Sequence, residues 1–266
     1  MKKAILIVSN GTSDISAFEA SIGKIEEKAK ATFKEYEVFR AFSSEKIILR
    51  LKSKHNITVI TPIEMLKVIE NLGFEEVVIQ PLYLLDGTEY GLLKEHIEEF
   101  KRKSKLNRIL LGSPILIPND ERRTIDFIES IKGSLEVNKN IVAVVHGTKS
   151  LANMCYWELW HGFKSCGLSN IYVGAIEGEP SINYVLQCLK RDEVKEVLLI
   201  PFLIAAGFHA KKDLEAASPS SLKSILQREG IKVQVKHTGL GEMKEFQEFL
   251  ILDLKRLINN DLMLGR

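Results

Sequence analysis

The chain has 266 residues, 45% of them hydrophobic and 27% charged, the proportions of an ordinary folded protein and not of a disordered or fibrous one. Its 37 basic and 35 acidic residues give a net charge of +2; with no long basic block or arginine-rich stripe, nucleic acid is a poor expected partner. The length suits two domains or one large α/β domain and excludes a single small module.

Met1, Lys2 and Lys3 open like a signal peptide, but the apolar run Ala4–Val8 is shorter than the roughly 7 residues a signal core needs. The expectation is a cytoplasmic protein. In chain order, strands are predicted over Ala4–Ser9, Glu37–Phe42, Glu76–Leu84, Arg108–Leu111, Ile141–Val145, Ile171–Ile176, Val194–Ala205 and Lys232–His237. Amphipathic helical patterns fill most intervals, which is the alternation of a parallel sheet with crossover helices. The runs VVIQPLYLL and VLLIPFLIA are almost continuously apolar, as in strands covered on both faces. The longest apolar stretch, Val197–Phe208, contains Pro201 and falls short of the roughly 18 residues of a membrane span, so it reads as a buried strand. Pro62 and Pro180 take first-turn positions of predicted helices. Cys155, Cys166 and Cys188 are odd in number and form no CxxC pair; free thiols are expected rather than a disulfide framework or a zinc cage.

An internal repeat organises this pattern. AILIVSNGTS resembles IVAVVHGTKS and pairs Asn10 with His146; VFRAFSSE resembles YVGAIEGEP and pairs Ala41 with Ala175; EEVVIQPLYLLDGTEY resembles KEVLLIPFLIAAGFHA and pairs Gly87 with Gly207. Three matches in one order predict two similar α/β halves with the boundary inside Gly112–Lys139, and a cleft served by the carboxyl ends of the strands.

Four residues gather at those predicted ends. His146 follows IVAVV, Glu177 follows IYVGAI, His209 ends the apolar run after Gly207 and Phe208, and Glu89 is the first half's counterpart of His209. A histidine at such a place can also cap the next helix or hydrogen-bond in the core. Two imidazoles with one or two carboxylates suit either a divalent transition metal or acid–base chemistry near neutral pH. HExxH, EF-hand, Walker, GxSxG and full GxGxxG motifs are absent from the sequence, and the single glycines of SNGT and VHGT read as strand-to-helix turns. His55, His96 and His237 lie in polar or strand-end settings, and Tyr156, Trp157 and Trp160 around His161 read as a core face. Lys149, Lys211, Lys212 and Arg40 read as a solvated rim that would also suit a polycarboxylate ligand.

Taken together, KKAILIVSNGTSD, VFRAFSSEKII, LDGTEY, VVHGT, VGAIEGEP, LIPFLIAAGFHAKKDL and TGLGE resemble, over nearly the whole chain, the anaerobic sirohydrochlorin cobaltochelatases of cobalamin biosynthesis (CbiK). These belong to the ATP-independent chelatases, which include protoporphyrin ferrochelatase. The resemblance implies an α/β fold of two similar lobes, 1–125 and 126–266, each a mostly parallel sheet flanked by helices, with a tetrapyrrole between them. Residue by residue, it makes His146 and His209 the metal-binding and catalytic pair, Glu177 a further metal ligand, and Glu89 a catalytic acidic group assisting on the substrate side. Asn10 stands where the family's turn has phenylalanine. The implied reaction inserts Co²⁺ into sirohydrochlorin, with Fe²⁺ or Ni²⁺ as other candidate metals and no permanently bound cofactor. The partners are then the tetrapyrrole and a divalent metal, without nucleic acid or membrane, and a homo-oligomer is compatible with this. A sirohydrochlorin ferrochelatase for sirohaem synthesis, or a non-catalytic metal- or haem-binding protein, would use the same residues.

Overall fold

The computed structural model describes residues 2–207, Leu214 and 221–264, with side chains described through 259. The chain forms two compact units, Met1–Pro114 with Gln247–Arg266, and Ile115–Phe246. Residues 115–125 therefore group with the second unit and the end of the last helix with the first, whereas the lobes expected from sequence divided at 125; the break after Pro114 lies inside the Gly112–Lys139 interval given by the repeat.

Local packing accounts for this. The Ile115 carbonyl accepts from Arg123 Nε at 2.9 Å, and the Phe127 and Phe246 rings meet edge to face at 6.1 Å, both in the second unit. In the first unit, Glu248 pairs with Lys28 at 3.1 Å and the Ile258 carbonyl accepts from Arg108 at 3.2 Å.

The first unit holds strands β1 (Lys3–Ser9), β2 (Tyr36–Phe42), β3 (Glu76–Pro81) and β4 (Arg108–Leu111), all parallel, in the order β2-β1-β3-β4. Helices α1 (Ile15–Ala20), α2 (Ile22–Thr32), α3 (Glu45–His55), α4 (Pro62–Asn71) and α5 (Thr88–Lys101) connect them. Ala4 to Val8 and Val77 to Ile79 are sealed from solvent, as central strands of a parallel sheet must be. One side of the sheet packs Leu6, Val8, Val77 and Ile79 against Leu66, Ile69, Leu93 and Ile97. Helix starts follow from side-chain chemistry: Ser44 caps α3 by accepting from the Ile47 N–H, and Thr61 with Glu64 forms a capping box ahead of Pro62 at the first position of α4.

The second unit repeats the plan. Strands β5 (Ile141–Val145), β6 (Ile171–Ala175), β7 (Glu196–Pro201) and β8 (Lys232–Val235) are parallel in the order β6-β5-β7-β8, with described helices α6 (Glu121–Ile131), α7 (Met154–Ser165), α8 (Ile182–Arg191) and α9 (Leu222–Arg228). Helix α10 (Lys244–Leu264) closes the chain. The aromatic segment of α7 packs as a core face: Tyr156 and Trp160 are buried, Trp157 stacks on Trp160 at 5.8 Å, and His161 is exposed.

All eight predicted strands are present, and the two longest end early. Strands β3 and β7 stop at Pro81 and Pro201, after which the Leu82 and Phe202 N–H groups turn back to Val8 and Val144 at 2.7 Å in both units. Beyond β7, the Leu203 and Ile204 carbonyls accept from Leu240 and Gly241 rather than from a strand. Pro180 also departs from expectation: α8 begins at Ile182 after Ser181, and the Pro180 carbonyl instead accepts from the Ala175 N–H at 2.8 Å.

Strand register fixes the repeat residue by residue. Val8 lies opposite Pro81 and Val144 opposite Pro201, so the pairings of Asn10 with His146 and Gly87 with Gly207 hold. Ser9 lies opposite Phe42, however, and Val145 opposite Ala175, which makes Phe42, and not Ala41, the counterpart of Ala175. The counterpart of Glu177 is then Ser44, spent on capping α3.

Candidate active site

At the carboxyl end of β5 the chain leaves the sheet as His146, Gly147, Thr148, and beside it β6 leaves as Ile176, Glu177, Gly178. The two exits stay paired beyond the strands: the Ile176 N–H donates to the Val145 carbonyl and the Glu177 N–H to the His146 carbonyl, each at 2.9 Å. His146 and Glu177 are both exposed, so neither is a core residue. The His146 Nδ1 lies 3.3 Å from the Gly147 carbonyl oxygen. That oxygen can only accept, so the tautomer carrying Nδ1–H would donate to it and leave the Nε2 lone pair for a metal or proton.

Two glycines make this approach possible. Gly147 has φ +88°, and a Cβ there would stand 1.5 Å from the Glu177 carbonyl oxygen, a position no side chain can occupy. Gly178, at φ +90°, would bring a Cβ to 3.0 Å from the Thr148 carbonyl oxygen and 3.1 Å from Asn153 Oδ1. Asn153 ties the same two segments from the side: Oδ1 accepts from the Thr148 N–H at 3.1 Å, and Nδ2 donates to the Glu179 carbonyl. Neither Asn153 nor Gly178 stands out in the sequence, because the partners of each come from a separate strand end.

The first unit carries a different set at the equivalent strand ends. Asn10, the counterpart of His146, accepts from the Ser43 hydroxyl at 2.8 Å. Glu89 is exposed in the first turn of α5. Burial pushes the hydroxyl of Tyr83, next to that turn, up to about 12, and the Glu89 carboxylate acts in the same sense. Arg40 is not a free rim cation: it pairs with buried Glu26 and lies 4.4 Å from the centre of the Phe18 ring. Lys149 is exposed beside the His146 turn.

His209, with Lys211 and Lys212, lies outside the described residues. Among the described residues the structure thus brings His146 and Glu177 together and leaves Glu89 in the first unit. No group of three or more histidine, cysteine or acidic side chains suited to a metal occurs among them. None of the three cysteines is in a disulfide; Cys155 and Cys188 are buried and Cys166 partly so.

Comparison with known proteins decides the family, because the match to the one described as Cobalt chelatase (CbiK) runs over residues 3–259. The chain belongs to the cobalt chelatase (CbiK) family. The sirohydrochlorin cobaltochelatase of Salmonella typhimurium is 29% identical over 260 residues, covering 97% of each chain. The sirohydrochlorin cobaltochelatase CbiKC of Nitratidesulfovibrio vulgaris is 26% identical over 250 residues, covering 92% of this chain and 86% of its own. The fold is shared with solved chelatases of low identity. SirB from Bacillus subtilis subspecies spizizenii, in complex with cobalt, gives a TM-score of 0.65 at 14% identity over 98% of this chain and 97% of its own. CbiX, the terminal enzyme of sirohaem synthesis in denitrifying bacteria, gives 0.57 at 16% identity over 95% and 98%.

Proposed function

We propose that this protein is a sirohydrochlorin cobaltochelatase that inserts Co²⁺ into the macrocycle without ATP. Full-length kinship with cobaltochelatases supports the reaction class and the metal. The observation that carries the site is the backbone bond joining Glu177 to His146, which ties together, main chain to main chain, the two adjacent strand ends that carry these residues.

Insertion exchanges one divalent cation for two pyrrole N–H protons, so charge is conserved and both protons must be taken up. His146 and Glu177, with His209, are assigned to holding the metal, and Glu89 to the substrate side. Oxygen and imidazole donors suit this work because the metal must also be released: ligands of this kind hold Co²⁺ less tightly than Ni²⁺ or Cu²⁺. A neutral imidazole can accept a departing proton after the metal has moved on.

The same reading places the protein in anaerobic cobalamin synthesis in the cytoplasm, with the tetrapyrrole and the metal as its partners, no permanent cofactor, and no role for nucleic acid or membrane. Three cysteines outside any disulfide suit a reducing compartment, the near-balanced charge gives nucleic acid no electrostatic purchase, and no described helix is long and apolar enough to cross a membrane. The test is anaerobic: protein, sirohydrochlorin and Co²⁺ should shift the absorption spectrum of the macrocycle faster than the same mixture without protein, and faster than with Fe²⁺ or Ni²⁺. Equal rates with and without protein would reject the reading.

A further inference from the structure

We propose that Asn153 is a positioning residue for the metal site, holding the His146 turn and the Glu177 turn at a fixed separation; this rests on the assignment of those two residues to the metal.

Asn153 ends the 3-10 turn Leu151–Asn153 that runs into α7, with helical φ −57° and ψ −22°, and its side chain makes no capping bond to α7. A capping asparagine normally has extended φ and ψ and accepts from the second or third N–H of its helix, which Asn153 does not do. Here both ends of the amide are used elsewhere. The oxygen accepts from Thr148, two residues past His146, and the nitrogen donates to the carbonyl of Glu179, two residues past Glu177. One planar group therefore braces each candidate ligand at the same distance along the chain. Gly178 passes so close that a Cβ there would come within 3.1 Å of Asn153 Oδ1, which leaves the side chain little freedom to take another position.

The brace needs one acceptor and one donor on the same short side chain, a requirement only asparagine meets at this length. Exposed loop ligands gain their geometry from such supports, and removing one typically weakens a metal site about 10- to 100-fold.

Two variants of the full-length protein separate positioning from packing. In Asn153→Ala both bonds are lost. Asn153→Asp keeps the shape and the acceptor, but a carboxylate cannot donate to the Glu179 carbonyl. Isothermal titration with Co²⁺ alone should show both variants weakened about 10-fold or more, with sirohydrochlorin affinity and the thermal midpoint close to wild type. Hydrogen exchange at the Glu177 amide, which reads the brace without any metal, should quicken in both while β5 amides stay unchanged. If Asn153→Asp binds Co²⁺ and protects Glu177 like the wild type, the bond from Asn153 to the Glu179 carbonyl positions nothing and the proposal falls. If the wild type takes up no Co²⁺ but exchange at Glu177 still responds to both variants, the brace is real and the metal assignment is what fails.

Discussion

The Glu177 N–H donates to the His146 carbonyl at 2.9 Å, so the two candidate ligands of the second unit are held by backbone and do not depend on their own side chains for their spacing. Substituting either side chain should leave the scaffold standing. His146→Ala is expected to cut cobalt insertion by about 100-fold or more and to change stability by no more than about 0.5 kcal/mol, because the ring is exposed. Stopped-flow or steady-state absorption of the macrocycle, paired with urea unfolding, checks both halves. Near wild-type insertion would remove His146 from the site.

Glu177→Gln separates metal from macrocycle. The amide keeps the shape and the backbone bond to His146 but loses the negative charge that attracts a dication. Co²⁺ affinity should fall while sirohydrochlorin affinity holds, and direct titration of each ligand reads the two separately. Equal losses would place Glu177 against the tetrapyrrole instead.

The third expectation concerns the close approach that makes the pair. A Cβ at Gly147 would meet the Glu177 carbonyl oxygen at 1.5 Å, whereas Gly73, at φ +75°, has nothing within 4 Å of its Cβ position. Gly73→Ala should therefore cost only the left-handed backbone penalty, about 1 kcal/mol. Gly147→Ala bears that penalty and must also push the two turns apart, so its loss should exceed that of Gly73→Ala, reaching about 2 kcal/mol or more, and insertion should fall with it. Equal stability losses in the two variants would mean that the turns open freely and that their spacing is not a constraint.

Much of this is legible in the sequence, and the reasons are particular. Strand β5 matches its predicted bounds, Ile141–Val145, because a fully buried parallel strand carries an uninterrupted apolar run ended by a glycine turn. Strands β3 and β7 are shorter than their apolar runs because LYLL and FLIA remain apolar after the ladder has ended: Leu82 and Tyr83 are buried by tertiary packing and not by strand pairing. The repeat slips by one residue at Ala41 because two small residues, Ala41 and Ala175, invite alignment, while register follows the hydrogen bonds from Ser43 to Ser9 and from Ile176 to Val145. His146 and Glu177 are visible because strand ends present reactive groups. Asn153 is not, since its two partners, Thr148 and Glu179, come from different strand ends and no local spacing records that they meet.

The last expectation is a pH effect remote from the site. Glu26 of α2 is 3% exposed and pairs with Arg40. Burial raises its carboxyl above the ordinary value, although the Arg40 charge and hydrogen bond pull the other way. The folded state therefore holds this proton at a pH where the unfolded chain has already released it, and stability must fall as pH rises through the folded value. The contribution is fully present below the ordinary carboxylate range, about pH 4, and is lost as pH rises through the raised folded value. Glu26→Gln, which mimics the protonated form at every pH, should match the wild type near pH 4 and exceed it at pH 7. Urea midpoints of the two proteins across that interval make the comparison, with the unfolding slope checked for constancy. A variant less stable than the wild type at pH 7 would show that the ion pair with Arg40 outweighs the cost of burying the carboxylate, and would reverse the sign of the pH effect.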